Sequence, residues 1–331
     1  MSASPTSSQA PGSHVLVTGG AGFIGSHLTR RLLARGDRVT VLDDFNDFYD
    51  PARKRANVAA FLGQPGYRLV EGDIRDEQLL DSLYAEGRFD AVVHLAARAG
   101  VRPSLKEPIL YEDVNCIGTL RLLEAARKHG PKVFIFGSSS SVYGINQKVP
   151  FAEDDEVNQP ISPYATTKRA GELLCFNYHH LYDFRTACLR FFTVYGPAQR
   201  PEMAIHKFTD LLARGKTIPL YGDGSTRRDY TYVDDIVDGI LASLDLAPGF
   251  EIFNLGGAET TSLADLVRML AAELAVTPSI EYLPDQPGDV PITYAEVGKA
   301  ARLLGYSPKV PIAQGLKRFV GWYRDEHPAA G

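Results

Sequence analysis

The sequence has only three cysteines, Cys116, Cys175 and Cys188, among its 331 residues. Their number is odd and their spacing resembles neither a metal site nor a redox pair, so we expect buried, reduced thiols and no metal centre. No apolar run approaches the roughly 20 residues that a membrane-spanning helix requires. The scarcity of both features argues against a disulfide-stapled miniprotein and against an integral membrane protein.

An excess of positive charge is also absent. The chain has 35 Lys and Arg residues against 40 Asp and Glu residues, which gives a net charge of −5. Non-specific binding to nucleic acid or to a membrane surface needs clustered positive charge, so we expect neither partner. Residues 1–13 are rich in Ser, Ala and Pro and lack the apolar core of a signal peptide, which predicts a disordered tail and a cytoplasmic protein.

From His14 onward, short apolar segments alternate with helical patterns. Strands are predicted at 15–17, 39–42, 67–70, 91–95 and 133–136, with later strands at 186–190 and 251–254. Helical patterns lie between most of them, notably at 23–35, 78–84 and 119–128. Nearly continuous apolar strands that alternate with helices predict an α/β fold, a doubly wound Rossmann-type parallel sheet covered on both faces.

A glycine-rich loop lies between the first predicted strand and the first predicted helix, with the sequence Thr18-Gly-Gly-Ala-Gly-Phe-Ile-Gly25. Small residues let the main chain approach a pyrophosphate, and the helix N-terminus offers free N–H groups. Asp43 ends the second strand, 18 residues beyond Gly25, close to the spacing expected for a carboxylate that binds the ribose. The three features together predict a dinucleotide site.

Acidic residues favour NAD over NADP at this site. A carboxylate at Asp43 or Asp44 accepts hydrogen bonds from the ribose 2′-OH and repels a 2′-phosphate. The basic run Arg53-Lys54-Arg55 is interpreted as a solvated helix face. Asp73 follows the third strand and has two open interpretations, a contact to the adenine region or a cap of the next helix.

Tyr164 and Lys168 are four residues apart in the sequence. Pro163 can begin a helix, so the two side chains share one face of its first turns. A run of four serines, 138–141, follows the fifth predicted strand. Because the carboxyl ends of parallel strands border the ligand crevice, a hydroxyl, a phenol and an ammonium are expected to meet beside the nicotinamide.

These motifs resemble the extended short-chain dehydrogenase/reductase family, and more narrowly its nucleotide-sugar 4-epimerases. The resemblance covers about residues 14–325. Besides the glycine loop it is carried by His94-Leu-Ala-Ala97, Asn115-Cys-Ile-Gly-Thr119, Ser138-Ser-Ser-Ser-Val-Tyr-Gly144, Tyr164-x-x-x-Lys168, Arg190-Phe-Phe-Thr-Val-Tyr-Gly-Pro197, Arg228-Asp-Tyr-Thr-Tyr-Val-Asp-Asp235 and Pro287-Gly-Asp-Val290. It implies an NAD-dependent enzyme that keeps its cofactor tightly bound.

The resemblance also implies roles for individual residues. Tyr164 would be base and acid at the sugar 4-OH, Ser139 would hydrogen-bond the same oxygen, and Lys168 would bind the nicotinamide ribose and lower the pKa of Tyr164. Hydride taken from C4 would leave a 4-keto sugar, which would rotate and receive the hydride on its other face. The implied NAD contacts are Gly19, Gly22, Phe23, Ile24, Gly25, Asp43, Asp73, Ile74, Leu95, Ala96, Ala97, Asn115, Tyr164 and Lys168.

Two stretches resemble the UDP-glucuronate 4-epimerases, the residues from 190 to 204 and Ala99-Gly-Val-Arg-Pro-Ser104. A guanidinium can hold a carboxylate with two parallel hydrogen bonds, and the choice between Arg102 and Arg200 stays open. Arg228 is assigned to the diphosphate, while Gln286 stands where many UDP-hexose epimerases have Arg, which leaves the contact from Asp289 open. The predicted substrate contacts are Arg102, Ser139, Ser140, Ser141, Tyr164, Thr193, Arg200, Arg228 and Asp289.

The same residues bear on the other functions found in this family. Related dehydratases and decarboxylases place an acidic residue where this chain has Ser141, which argues against both reactions. A UDP-glucose or UDP-N-acetylglucosamine 4-epimerase remains the alternative. A non-enzymatic NAD sensor is expected to lack Tyr164 or Lys168, and both are present.

The domain organisation predicted from these patterns has two parts. Residues 14–192, joined by 233–257, are assigned to an NAD-binding Rossmann domain. Residues 193–232 and 258–331 are assigned to a smaller mixed α/β lobe for the UDP-sugar. The family resemblance further implies a homodimer, through a four-helix bundle from helices near 111–128 and 164–181.

Overall fold

The computed structural model describes residues 12–246, 248–284 and 290–328. Its strands are β1 His14–Thr18, β2 Arg38–Asp43, β3 Tyr67–Glu71, β4 Ala91–His94, β5 Val133–Ser139, β6 Arg185–Phe191, β7 Thr193–Tyr195, β8 Ile218–Tyr221, β9 Arg227–Arg228, β10 Tyr230–Tyr232, β11 Phe250–Leu255, β12 Thr261–Ser262, β13 Ile280–Leu283 and β14 Ile292–Thr293. All seven strands predicted from the sequence are present.

The helices connect these strands in the order that a doubly wound sheet requires. They are α1 Phe23–Ala34, α2 Pro51–Ala59, α3 Glu77–Gly87, α4 Val101–Lys106, α5 Pro108–Glu112, α6 Gly118–His129, α7 Pro163–Tyr182, α8 Ala204–Ala213, α9 Val233–Leu246, α10 Leu263–Leu274, α11 Gly298–Leu304 and α12 Ile312–Glu326. A π-helical turn at Asp113–Ile117 joins α5 to α6, and a 3₁₀ turn at Ser140–Tyr143 follows β5.

The main sheet has seven strands in the order β11-β6-β5-β4-β1-β2-β3, and every neighbouring pair is parallel. Its central strands are apolar because both of their faces are covered by helices: Val15, Leu16 and Val17 of β1 are fully buried. The predicted doubly wound α/β fold is confirmed. From β1 the chain winds outward to β3, and from β4 it winds outward in the opposite direction. The carboxyl ends of β1 and β4 therefore border the crevice where such folds bind ligands.

The second half of the chain adds three small sheets. β7 pairs with β10, β8 pairs with β13, and β9 lies between β12 and β14. α9 and β11 return to the main sheet, where β11 pairs with β6. One continuous cluster of buried side chains extends from Val15 in β1 to Leu270 in α10, so the main sheet and the later elements share a core. The division into two domains stays a prediction.

Two sequence predictions fall largely or wholly outside the described residues. They are the disordered tail, apart from residues 12 and 13, and the substrate contact assigned to Asp289 beside Gln286. Within the described ranges, no helix combines the length and the apolar character needed to cross a membrane. Cys175 and Cys188 are buried as free thiols, whereas Cys116 is only half-buried.

Candidate active site

A large cavity opens along the carboxyl ends of the main-sheet strands. Its wall contains most of the residues selected from the sequence, including the glycine loop, the end of β2, the serine run and the Tyr164–Lys168 pair. The predicted residues on this wall are Gly19, Gly22, Phe23, Ile24, Gly25, Asp43, Asp73, Ile74, Leu95, Ala96, Ala97, Ser139, Ser140, Ser141, Tyr164, Lys168, Thr193 and Arg200.

The glycine loop is shaped by close main-chain packing. Gly19 has φ +68°, and a Cβ atom there would lie 2.7 Å from the Ala96 nitrogen. A Cβ on Gly25 would overlap the carbonyl oxygen of Gly19, so the helix can approach the loop only because that Cβ is missing. Gly22 differs, because a Cβ there would meet only the Gly19 oxygen, at 3.2 Å. Gly22 lines the cavity at the N-terminus of α1, where main-chain N–H groups face a ligand.

Asp43 is held at the end of β2 by two main-chain donors. One carboxylate oxygen accepts a hydrogen bond from the Ala21 nitrogen at 3.1 Å, and the other accepts one from the Phe45 nitrogen at 3.0 Å. Burial raises the pKa of Asp43, while the nearby Lys54 ammonium lowers it. Each oxygen keeps a further lone pair for a ribose hydroxyl, because a carboxylate oxygen accepts two hydrogen bonds.

The structure excludes one of the two interpretations of Asp73. The cap of α3 is Asp76, whose side chain accepts a hydrogen bond from the Leu79 nitrogen at 3.0 Å, so the alternative of a helix cap at Asp73 is wrong. Asp73 instead lines the cavity and accepts hydrogen bonds from the main chain and the guanidinium of Arg75. Its contact to the adenine region stays a prediction.

The interpretation of the basic run at 53–55 is wrong for Lys54. Its side chain is buried, with 5% of the residue exposed, and it lines the cavity instead of facing solvent. The Lys54 Nζ atom donates a hydrogen bond of 3.0 Å to the carbonyl of Asn46 and lies 5.1 Å from the centre of the Tyr49 ring. The loop before α2 folds back over the helix and covers Lys54, and the path of this loop is not encoded in the charge pattern of the helix.

Tyr164 and Lys168 share the cavity-facing side of α7, as their spacing predicts. The Ser162 side chain caps the helix by accepting a hydrogen bond from the Ala165 nitrogen at 3.1 Å, and Pro163 occupies the first turn. The Tyr164 ring meets the Tyr111 ring edge-on, with 6.3 Å between their centres. Burial raises the pKa of Tyr164, while a hydrogen bond with Ser139 and the charge of Arg200 lower it.

Lys168 is almost fully buried beneath the same wall. Its Nζ atom donates a hydrogen bond of 2.7 Å to the carbonyl oxygen of Gly137 and lies 5.9 Å from the centre of the Tyr164 ring. Burial lowers the pKa of Lys168 to about 8, partly offset by Cys116 and Glu172. In this structure the groups that lower the pKa of Tyr164 are Ser139 and Arg200. Its lowering by Lys168 stays a prediction.

A buried ion pair that the sequence analysis missed lies behind these groups. The Glu172 carboxylate accepts hydrogen bonds from Nε and Nη2 of Arg190 at 2.9 and 3.0 Å, and from the Ser138 hydroxyl at 2.6 Å. The three residues lie on α7, β6 and β5, so the pair ties the helix that bears Lys168 to the strand that leads to Ser139. The only local signal was the position of Glu172, four residues beyond Lys168.

The structure separates the two arginines proposed for a carboxylate. Arg200 lines the cavity, and its Nε atom lies 3.2 Å from a carboxylate oxygen of Glu202. Arg102 is exposed on α4, where its guanidinium lies 5.2 Å from the centre of the Tyr221 ring. Arg228 donates a hydrogen bond of 2.9 Å to the Arg227 carbonyl in β9. Among the described residues, those that form the cavity wall do not include Arg102 or Arg228.

Asn115 is also outside the cavity wall formed by the described residues. Its amide donates to the Arg98 carbonyl and the Thr167 hydroxyl, both at 3.0 Å, and its oxygen accepts a hydrogen bond from the Arg98 nitrogen at 2.8 Å. It therefore braces the loop after β4 against α7. Its direct contact to NAD stays a prediction.

Comparison with known proteins gives the family. Residues 15–256 match the NAD dependent epimerase/dehydratase family. The chain belongs to this family. UDP-glucuronate 4-epimerase 4 of Arabidopsis thaliana is 45% identical over 327 residues, which cover 93% of this chain and 75% of that protein.

Solved structures of this epimerase/dehydratase family have the same fold. A Bacillus cereus UDP-glucuronic acid 4-epimerase, in complex with UDP-glucuronic acid and NAD, superposes with a TM-score of 0.90 at 36% identity, covering 95% of this chain and 100% of that one. A Thermotoga maritima UDP-glucose 4-epimerase with UDP-glucose superposes with a TM-score of 0.88 at 35% identity, covering 95% and 99%.

NAD is the cofactor of this epimerase/dehydratase family, and the residues on the cavity wall fit it. Gly22 has no side chain where the cavity meets the N-terminus of α1, and this leaves a hollow suited to a diphosphate. The Asp43 carboxylate is fixed where a ribose hydroxyl can donate to it, and Lys168 presents an ammonium at the far end of the wall. These positions are the ones we assign to the two ends of the dinucleotide.

Proposed function

We propose that this protein is a UDP-glucuronate 4-epimerase, which converts UDP-glucuronate to UDP-galacturonate by transient oxidation at C4. The observation that carries the proposal is the position of Arg200, on the same cavity wall as Ser139, Tyr164 and Lys168. A guanidinium there can pair with the carboxylate of a sugar whose C4 hydroxyl lies at Tyr164. The names of the Arabidopsis and Bacillus relatives support the same activity.

Tyr164 takes the proton of the sugar 4-OH and later returns it. Ser139 is the second partner of that oxygen: it contacts Tyr164, and its hydroxyl donates to the Ser141 hydroxyl at 3.1 Å. Bound NAD supplies the hydride acceptor and donor at C4. Lys168 presents its ammonium to the nicotinamide ribose, and this positive charge favours the tyrosinate form of Tyr164.

The serine run favours epimerisation over the other reactions of this fold. Dehydration and decarboxylation place an acid next to the sugar, and this wall presents the hydroxyls of Ser140 and Ser141 there instead. Thr193 adds a third hydroxyl to the cavity wall. Short neutral side chains can hydrogen-bond a 4-keto sugar on either face while leaving it space to rotate.

The deciding experiment presents the purified protein with UDP-glucuronate, UDP-glucose and UDP-N-acetylglucosamine and separates the products by chromatography. We expect UDP-galacturonate to form, with a kcat/KM well above that for either uncharged sugar. A preference for UDP-glucose would instead assign the protein to the activity named for the Thermotoga relative.

We also propose a homodimer formed through a four-helix bundle of the helices near 111–128 and 164–181, with α5 beside them. Ile109 on α5 is 83% exposed, and Leu173 and Phe176, three residues apart on α7, are 49% and 46% exposed. Large apolar side chains so exposed on adjacent helices are typical of an interface. Light scattering after gel filtration should give a dimer for the wild type and a monomer for Leu173→Glu.

A further inference from the structure

The segment between β2 and α2, residues 44–50, crosses the cavity wall from the cofactor end toward the sugar end. Four of its residues line the cavity: Asp44, Asn46, Phe48 and Tyr49. We call this segment the strap. It begins next to Asp43, the carboxylate assigned to the ribose, and it reaches Arg200, the guanidinium assigned to the sugar carboxylate.

Both ends of the strap are fixed by hydrogen bonds. At its start, the Phe45 nitrogen donates to Asp43, and Phe45 itself has φ +47°. In its middle, the Asn46 carbonyl accepts a hydrogen bond from the buried Lys54 ammonium. At its end, the Asp50 side chain caps α2 by accepting a hydrogen bond of 2.9 Å from the Ala52 nitrogen. The strap therefore presents its aromatic rings from an anchored main chain.

The ring of Phe48 packs against the guanidinium of Arg200. The Arg200 Cζ atom lies 5.6 Å from the ring centre, within the range of a cation–π contact. Glu202 engages the Nε edge of the same guanidinium at 3.2 Å. The Phe48 ring and the Glu202 carboxylate together restrict the orientation of the Arg200 guanidinium. Because Glu202 pairs with the Nε atom, the two terminal nitrogens remain available to a bidentate ligand.

The charge of Arg200 acts on groups on both sides of it. It lowers the pKa of Tyr164, the proposed base, and it opposes the burial that raises the pKa of Tyr49 on the strap to about 12. The guanidinium that Phe48 contacts therefore acts electrostatically on both the strap and Tyr164. The Tyr49 hydroxyl is buried and has no hydrogen-bond partner among the described residues, so it does not hold the guanidinium of Arg200 in this structure.

We propose that Phe48 is a positioning residue that orients Arg200 toward the carboxylate of the substrate. The inference rests on the proposed function, because it needs a substrate with a carboxylate. It predicts that loss of the ring impairs substrates that have the carboxylate and spares those that lack it.

The test compares Phe48→Leu with the wild type on UDP-glucuronate and UDP-glucose. Loss of a cation–π contact in a partly desolvated site changes affinity roughly 3- to 30-fold. We therefore expect KM for UDP-glucuronate to rise by that factor, while KM for UDP-glucose changes less than twofold. Phe48→Tyr keeps the ring face and should restore the wild-type KM. Phe89→Leu removes the same atoms from a buried ring that packs against Tyr84 before the amino end of β4, outside the cavity, and should leave both KM values unchanged.

A double-mutant cycle shows whether Phe48 acts through Arg200. In an Arg200→Ala background, Phe48→Leu should cause no further rise in KM for UDP-glucuronate. Additive effects, or equal effects on both substrates, would overturn the proposal. If the wild type prefers UDP-glucose, the proposed function fails, and crystal structures of the wild type and Phe48→Leu then decide the inference: an unmoved Arg200 guanidinium overturns it, and a displaced one supports it.

Discussion

The Lys168 Nζ atom donates a hydrogen bond of 2.7 Å to the carbonyl oxygen of Gly137. This bond joins α7 to the end of β5, two residues before Ser139, and it holds the amino group of a residue that is only 5% exposed. Burial without a carboxylate in direct contact explains why the pKa of Lys168 falls to about 8, since desolvation penalises the ammonium more than the amine. The charge of the group therefore changes within an accessible pH range.

The first prediction concerns this titration. Lys168 is an ammonium at pH 7 and an amine well above pH 8, so NAD loses a charged hydrogen-bond donor as pH rises. We expect the Kd of cofactor-free protein for NAD to increase about tenfold between pH 7 and pH 9.5. Lys168→Met should bind NAD weakly at both pH values. The same pH dependence in Lys168→Met would assign it to another group.

The second prediction concerns Tyr164. Tyr164→Phe keeps the ring that packs edge-on against Tyr111 and removes only the ionisable oxygen. Loss of a general base typically lowers turnover by 10²–10⁴, so we expect a fall in kcat of about that size, with melting temperature and bound NAD unchanged. Wild-type turnover in this variant would remove Tyr164 from the mechanism.

The third prediction concerns the glycine loop. NAD should co-purify with the wild type, and Gly22→Val should abolish it, because a branched side chain would fill the hollow at the N-terminus of α1 that we assign to the diphosphate. Gly321→Val on α12 is the matched control, since a Cβ there meets nothing within 4 Å. Bound NAD is measured from the absorbance of the supernatant after denaturation. Full occupancy in Gly22→Val would mean that the diphosphate lies elsewhere.

Features encoded over short distances in the chain were predictable from the sequence. The glycine loop needs only a strand before it and a helix after it, and the Tyr164–Lys168 spacing fixes a shared helix face once Pro163 begins the helix. Asp43 follows from the same local logic, because the end of β2 is readable from its apolar run. These features place the ends of the site without reference to the rest of the chain.

Features that depend on the path of a loop or on distant segments were not predictable in the same way. Lys54 matched a solvated helix face because its neighbours are charged, and only the loop above it makes it buried. The choice between Arg200 and Arg102 needed the cavity wall, since both lie in stretches with the same family resemblance. Phe48 was missed because an aromatic residue in a loop gives no local sign that it faces an arginine far along the chain.

The fourth prediction concerns Arg200 and the carboxylate. Arg200→Ala removes the guanidinium from the cavity wall, whereas Arg102→Ala changes an arginine outside it. Loss of a bidentate charged contact weakens binding roughly 10- to 150-fold. We therefore expect KM for UDP-glucuronate to rise by that factor in Arg200→Ala and by less than twofold in Arg102→Ala. NAD content should stay at the wild-type level in both. The reverse ranking would return the carboxylate to Arg102.

The same variant tests how the site controls the oxidised sugar. Oxidation of UDP-glucuronate at C4 gives a β-keto acid, because C4 and the carboxyl carbon both flank C5. Such an acid loses CO₂ when the C5–C6 bond aligns with the carbonyl π system, so an epimerase has to restrain the carboxylate while the sugar rotates. Arg200→Ala should therefore release some UDP-4-keto-pentose, detected by mass spectrometry, together with unreacted substrate. Arg200→Lys keeps the charge but not the planar fork, and it should leak an intermediate amount. Unchanged kinetics and no pentose in Arg200→Ala would show that other groups restrain the carboxylate, with the hydroxyls of Ser141 and Thr193 the next to test.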